Sequence, residues 1–142
     1  MKTVIAQVKT PRILVVEDDP DIRELLMLIL TQQGYDVDTA DSGLTGLASL
    51  ETAIPDVILL DLAMPEMDGL AFLQRRGQID KIRDIPVIVV SARDSNADVM
   101  AALQAGASNY ITKPFDTARL LACVQRLMTL SAAPANAGTD LS

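Results

Sequence analysis

The chain has 142 residues, enough for one domain with a substantial core, and 49% of them are apolar, which excludes a disordered segment. A net charge of −7 and an isoelectric point near 4.4 argue against direct nucleic-acid binding, because a phosphate backbone demands a basic face. Two Tyr, two Phe and no Trp imply an aliphatic core; one Cys excludes a disulfide framework, and the absence of His excludes Ser-His-Asp catalysis and His-ligated metals.

Met1 to Thr10 has no apolar stretch of the kind a signal peptide carries, and no run approaches the roughly 18 residues a membrane helix needs. No membrane partner is expected, and a lone Cys suits a reducing cytoplasm. Ile13 to Val16 reads as a strand buried on both faces, running straight into Glu17, Asp18 and Asp19. Asp19 before Pro20 has the pattern of a helix cap with proline at the first turn. Ile22, Leu25, Leu26 and Ile29 then recur at helical spacing, ending near Gly34. Tyr35 to Thr39 alternates like a half-buried strand, and Leu44, Leu47 and Ala48 form a weaker helical stripe, loosened by Gly43 and Gly46.

Val57 to Leu60 is a second continuous apolar run, again closed by a carboxylate, Asp61. "AMPEMDG" is a loop, Leu70 to about Ile79 a helix, and Pro86 to Val90 a strand running into Ser91. Ser95 and Asp98 have capping-box spacing before Val99, Ala102 and Leu103, with Gly106 as the stop. Tyr110 to Thr112 is a short strand meeting Lys113-Pro114, and Asp116 caps a last helix with Leu120, Val124, Leu127 and Met128 inward. Five β-α units in succession imply an α/β fold, a parallel sheet covered by helices on both faces. The expected layout is an extension over 1–11, one domain over 12–130, and a flexible tail or start of an interdomain linker over 131–142.

In an open parallel sheet, sites form beyond the carboxyl ends of the strands. Glu17 and Asp18, then Asp61, Ser91 and Lys113, stand at the ends of different strands and converge on that edge. Taken singly, each has a plain explanation: a solvated loop, a turn, a cap or a surface charge. Their joint placement does not. An all-oxygen carboxylate cluster suits Mg2+ rather than zinc. A carboxylate held beside a cation and a lysine is a candidate nucleophile towards a phosphoryl group.

"ILVVEDDP", "VILLDLAMPEMDGL", "VIVVSA" and "AGASNYITKPF", in this order and spacing, resemble the receiver domains of two-component response regulators, from about Arg12 to Met128. The resemblance implies a flavodoxin-like, doubly wound sheet of strand order 2-1-3-4-5 with five helices. It implies that Asp61 is the phosphoacceptor and that Glu17, Asp18, Asp61 and the backbone carbonyl of Ala63 hold Mg2+. Lys113 would pair with the phosphoryl group, with a cis bond to Pro114. Ser91 would be the switch hydroxyl and Tyr110 the switch aromatic. Ala63 and Arg93 occupy the positions that tune phosphoryl lifetime, and Ala63 cannot orient an attacking water, so slow self-hydrolysis is expected.

The implied partners are a sensor histidine kinase or phosphotransfer protein, and a downstream protein or missing C-terminal output domain; a dimer formed on phosphorylation is also among them. The surface made by the fourth helix, fifth strand and fifth helix would carry the output, and the domain would catalyse only its own phosphorylation and dephosphorylation. Other readings are a haloacid-dehalogenase-type phosphatase, a flavodoxin-like flavin binder, and a degenerate receiver kept as an interaction module. "EDDP" lacks the Asp-x-Asp spacing of the first, no glycine- or hydroxyl-rich phosphate loop supports the second, and all of the site residues are present against the third.

Overall fold

The computed structural model describes residues 10–132, without the side chains of 131 and 132. Most of the expected extension and the expected tail from 133 onward lie outside the described residues. Strands β1 (Arg12–Val16), β2 (Asp36–Ala40), β3 (Val57–Leu60), β4 (Val87–Ser91) and β5 (Asn109–Thr112) alternate with five helices. These are α1 (Pro20–Gln32), α2 (Gly43–Thr52), α3 (Gly69–Gly77), α4 (Asn96–Gln104) and α5 (Thr117–Ala132). The strands form one parallel sheet in the order β2-β1-β3-β4-β5, as the resemblance implied.

Successive residues of the central strands point to opposite faces, and each face has its own core. Leu14, Val16, Ile58 and Leu60 pack with Leu50, Phe72, Leu73 and Ala102 of α2, α3 and α4. Ile13, Val15, Val57 and Leu59 pack with Leu26 and Leu30 of α1 and Leu120 and Val124 of α5. Both faces being covered explains why β1, β3 and β4 read as unbroken apolar runs.

The expected caps are present. Asp19 accepts from the backbone N–H groups of Asp21 (2.9 Å) and Ile22 (3.4 Å), with Pro20 opening α1. Ser95 accepts from Asp98 N at 3.1 Å, and Asp116 from Ala118 N at 2.9 Å. Gly34 and Gly106 follow the ends of α1 and α4 at φ +92° and +112°, where a side chain would be strained.

Three helical stripes need correction. Leu25, Leu44 and Leu103 are exposed, and Leu30 in α1 and Leu50 in α2 are buried instead. A period of 3.6 places a stripe to within one residue, and the twist of the sheet decides which residues touch it. In α2 the glycines do not loosen the helix but let it approach. A Cβ on Gly46 would stand 3.0 Å from Val16 Cγ2 and 3.1 Å from Phe72 Cε2.

Arg76, which helical periodicity alone cannot distinguish from a surface arginine, is buried under α3. Its Nη1 donates to the carbonyls of Ile82, Arg83 and Ile85 and its Nη2 to that of Gly106, stitching the α3–β4 connection to the turn after α4. Burial lowers its pKa from the ordinary value, and the nearby Asp84 carboxylate only partly opposes the fall.

Candidate functional site

Strand register carries the site residues to one edge. Val16 pairs with Leu60 and Ser91 with Thr112, so Glu17, Asp61 and Lys113 each leave the sheet one residue beyond a paired position. The last rungs continue the ladder: Glu17 N donates to Ala40 O at 3.0 Å, Asp61 N to Val16 O at 3.0 Å and Lys113 N to Ser91 O at 2.9 Å. Beyond Asp61 the chain folds back tightly, with Gly69 N donating to Leu62 O at 2.9 Å. A Cβ on Gly69 would lie 2.6 Å from both Asp61 O and Leu62 Cα, so only glycine lets α3 start this close to the acidic edge. Asp68 caps that start, accepting from Ala71 N at 2.9 Å.

Glu17, Asp18 and Asp61 each offer an oxygen, and the three lie within 4.8 Å of one another. Glu17 and Asp61 are buried, and Asp18 is half-buried. Lys113 Nζ donates to Glu17 Oε1 at 2.7 Å and to Asp61 Oδ2 at 3.4 Å. The other oxygens are engaged too: Glu17 Oε2 accepts from Asp19 N at 3.2 Å, and Asp61 Oδ1 from Ala63 N at 3.2 Å. Burial pushes the Glu17 carboxyl up to about 7; Lys113 opposes the rise and the nearby Asp61 adds to it. Burial alone would lower the Lys113 ammonium, but Glu17 and Asp61 outweigh it and hold the pKa above its ordinary value. One ammonium therefore serves a cluster of carboxylates and cannot neutralise it. The donor set is oxygen throughout, with no His or Cys among its members, and fits a hard divalent cation.

The remaining expected residues stand beside this cluster. Ser91, fully buried, accepts from Arg93 N at 3.2 Å, and the Tyr110 hydroxyl donates to the Arg93 carbonyl at 2.5 Å. Ser91 and Tyr110 are thus joined through the Arg93 backbone, with no hydrogen bond from Ser91 to the carboxylates among the described residues. Burial raises the Tyr110 phenol above its ordinary pKa. Ala63 is exposed, and the Lys113-Pro114 bond is cis.

Two residues of this edge escaped the sequence pattern. Gly69 stands in the turn dipeptide Asp68-Gly69, which signals a turn without signalling a close approach. Arg23 occupies a polar position of α1, yet its Nη1 donates to the carbonyls of Glu17 at 3.0 Å and Asp18 at 3.4 Å.

Residues 13–125 match the family described as the response regulator receiver domain. The chain is 40% identical over 118 residues to the DNA-binding dual master transcriptional regulator RpaA of Synechocystis sp., covering 83% of this chain and 49% of that one. It is 39% identical over 133 residues to the transcriptional regulatory protein PrrA of Mycobacterium tuberculosis, covering 94% of this chain and 56% of that one. The chain spans about half the length of the curated relatives it matches. Among solved structures, chemotaxis protein CheY4 of Vibrio cholerae superposes with a TM-score of 0.80 at 29% identity, over 84% of this chain and 99% of that one. The signal receiver domain of a signal transduction histidine kinase from Syntrophus aciditrophicus gives 0.81 at 34% identity, over 89% and 96%. The chain belongs to the response regulator receiver family, a signalling domain of two-component systems and not a metabolic enzyme.

Proposed function

We propose that this receiver domain takes a phosphoryl group onto Asp61 from a phosphohistidine of a sensor histidine kinase or phosphotransfer protein. The observation that carries the reading is the placement of Lys113 Nζ between two buried carboxylates, 2.7 Å from Glu17 and 3.4 Å from Asp61. An Asp61 oxygen attacks phosphorus, the phosphorus–nitrogen bond breaks, and the imidazole departs with the electron pair. Lys113 turns from Asp61 to the incoming phosphoryl oxygens and answers their charge. Glu17, Asp18, Asp61 and the Ala63 carbonyl would hold Mg2+, which when bound neutralises charge on the phosphoryl group. The domain supplies this chemistry only to its own phosphorylation and dephosphorylation.

Phosphorylation turns the Asp61 carboxylate into an acyl phosphate and so adds about −1 charge, with strong acceptor oxygens, at the end of β3. Ser91 is the hydroxyl able to answer them, at the cost of its bond from Arg93 N. Tyr110, tied to the carbonyl of the same Arg93, would feel that change, and α4, whose one buried residue is Ala102, is lightly held. The α4–β5–α5 surface is therefore the proposed output, directed at a downstream protein, a C-terminal output domain, or a second copy joined on phosphorylation. Regulators named for transcription, about twice this length, favour a DNA-binding output elsewhere in a longer chain, with no nucleic-acid contact by this acidic domain. The proposed boundaries are 12–130. Among the described residues no helix is long and apolar enough to cross a membrane, in keeping with a proposed cytoplasmic site of action.

The test is phosphotransfer from a labelled histidine kinase in Mg2+. Asp61→Asn is expected to abolish alkali-labile labelling of this protein, and retained labelling would overturn the assignment. Phosphoryl loss from the isolated protein is expected to quicken in Ala63→Asn, whose amide can orient a water; an unchanged rate would remove Ala63 from lifetime control.

A further inference from the structure

The acidic turn that follows β1 is held from behind by one residue of α1. Arg23 N donates to Asp19 O at 2.9 Å, and Arg23 Nη1 donates to Glu17 O at 3.0 Å and Asp18 O at 3.4 Å. The Asp19 carbonyl takes the first bond of α1, as at any helix cap, and the Arg23 side chain receives the two carbonyls before it, those of Glu17 and Asp18. They need such a partner because the sheet has run out. The last bond from a β1 carbonyl to the neighbouring strand is Asp61 N to Val16 O. Elsewhere a turn can let water satisfy its carbonyls and move freely. Here the same few residues present two carboxylates that, with Asp61, lie within 4.8 Å of one another and repel.

We propose that Arg23 is a positioning residue that clamps the Glu17–Asp18 backbone and thereby raises the cation affinity of the site. The inference rests on the reading of Glu17 and Asp18 as part of a cation site. The clamp fixes the spacing of the two carboxylates before the cation arrives, so binding does not have to order the turn. It also carries a positive charge on the far side of the peptide groups. Charge and clamp have opposite consequences for a cation. Coulomb repulsion between the guanidinium and a divalent ion weakens binding, whereas preorganisation strengthens it. The sign of the effect on removing Arg23 therefore separates the two.

Mg2+ alone is titrated into wild-type protein, Arg23→Met and Arg23→Lys, followed by backbone amide NMR shifts, and amide hydrogen exchange at Asp18 and Asp19 is measured in metal-free protein. Arg23→Met is expected to weaken Mg2+ binding by about three- to tenfold, the loss of one or two modest hydrogen bonds, and to speed exchange at Asp18 and Asp19. Arg23→Lys, which keeps the charge and one donor, is expected to recover part of both. Unchanged or tighter binding in Arg23→Met would overturn the proposal. Should Arg23→Met fail to fold, affinity and exchange in Arg23→Lys equal to wild type would do the same. If wild-type protein binds no Mg2+, the cation reading itself fails, and exchange rates unaltered by the substitution would then overturn the clamp.

Discussion

The two edges of the sheet each gather carboxylates around a single cation, and they differ in burial. At the amino-terminal edge Arg12 meets Asp38 at 2.8 Å and Asp36 at 3.3 Å, and its backbone N–H donates to Asp56 at 2.8 Å. The side chains there are 37% exposed for Arg12, 53% for Asp36 and 41% for Asp38. At the carboxyl-terminal edge Lys113 is 16% exposed, Glu17 2% and Asp61 6%. Water screens the first group, so its charges coexist cheaply and hold little together. The second is shut away from water, so each charge is felt by the others, and Glu17 is driven up to about 7. A similar grouping is a surface ion pair at one end of the strands and a chemically loaded site at the other.

Removing the cation is the harshest way to break that comparison. Lys113→Met leaves Glu17 and Asp61 buried and facing each other, and in metal-free protein at pH 8 it is expected to cost about 3 kcal/mol. Urea unfolding checks this, and the cost is expected to shrink near pH 5, where Glu17 takes up a proton. Acidity is the next lever. Glu17 ionises from about 4.5 in the unfolded chain but holds its proton to about 7 when folded. The folded state therefore binds more protons between those values. The Glu17 contribution is fully present below about 4.5 and is lost as pH rises through about 7, a fall of about 3 kcal/mol in metal-free protein. Unfolding curves from pH 5 to pH 8 would measure it, and Mg2+ is expected to restore stability at pH 8 and do little at pH 5. The smallest effect belongs to the other edge. Arg12→Met is expected to leave the unfolding midpoint close to that of wild type, with any difference vanishing in high salt.

Much of this edge was legible in the chain because strand ends are legible. An apolar run that stops on a carboxylate marks both the strand and the group at its tip, so Glu17, Asp18, Asp61, Ser91 and Lys113 could be named from order alone. Asp19 was separable from its neighbours because Pro20 follows it, and the capping bond is there. Helix faces were less legible. Leu25, Leu44 and Leu103 satisfy helical spacing and still face outward, since periodicity describes a helix and says nothing of where the sheet lies. Arg23 and Arg76 were hidden for a further reason. Both bind backbone carbonyls, which have no residue type, so no partner appears in the sequence to match them.

The sequence by itself determined which groups could meet: the alternation of apolar runs and amphipathic stretches dictates a parallel βα sheet, and in such a sheet strand ends share an edge. Only the tertiary structure decided how closely they meet and at what electrostatic cost. Register brings Lys113 to 2.7 Å from Glu17, and the glycine contact at Gly69 lets α3 start against the Asp61 loop. Burial then turns a cluster of ordinary carboxylates into one that a single lysine cannot neutralise. Burial and distance are collective properties of the packed chain, and no local stretch of residues contains them.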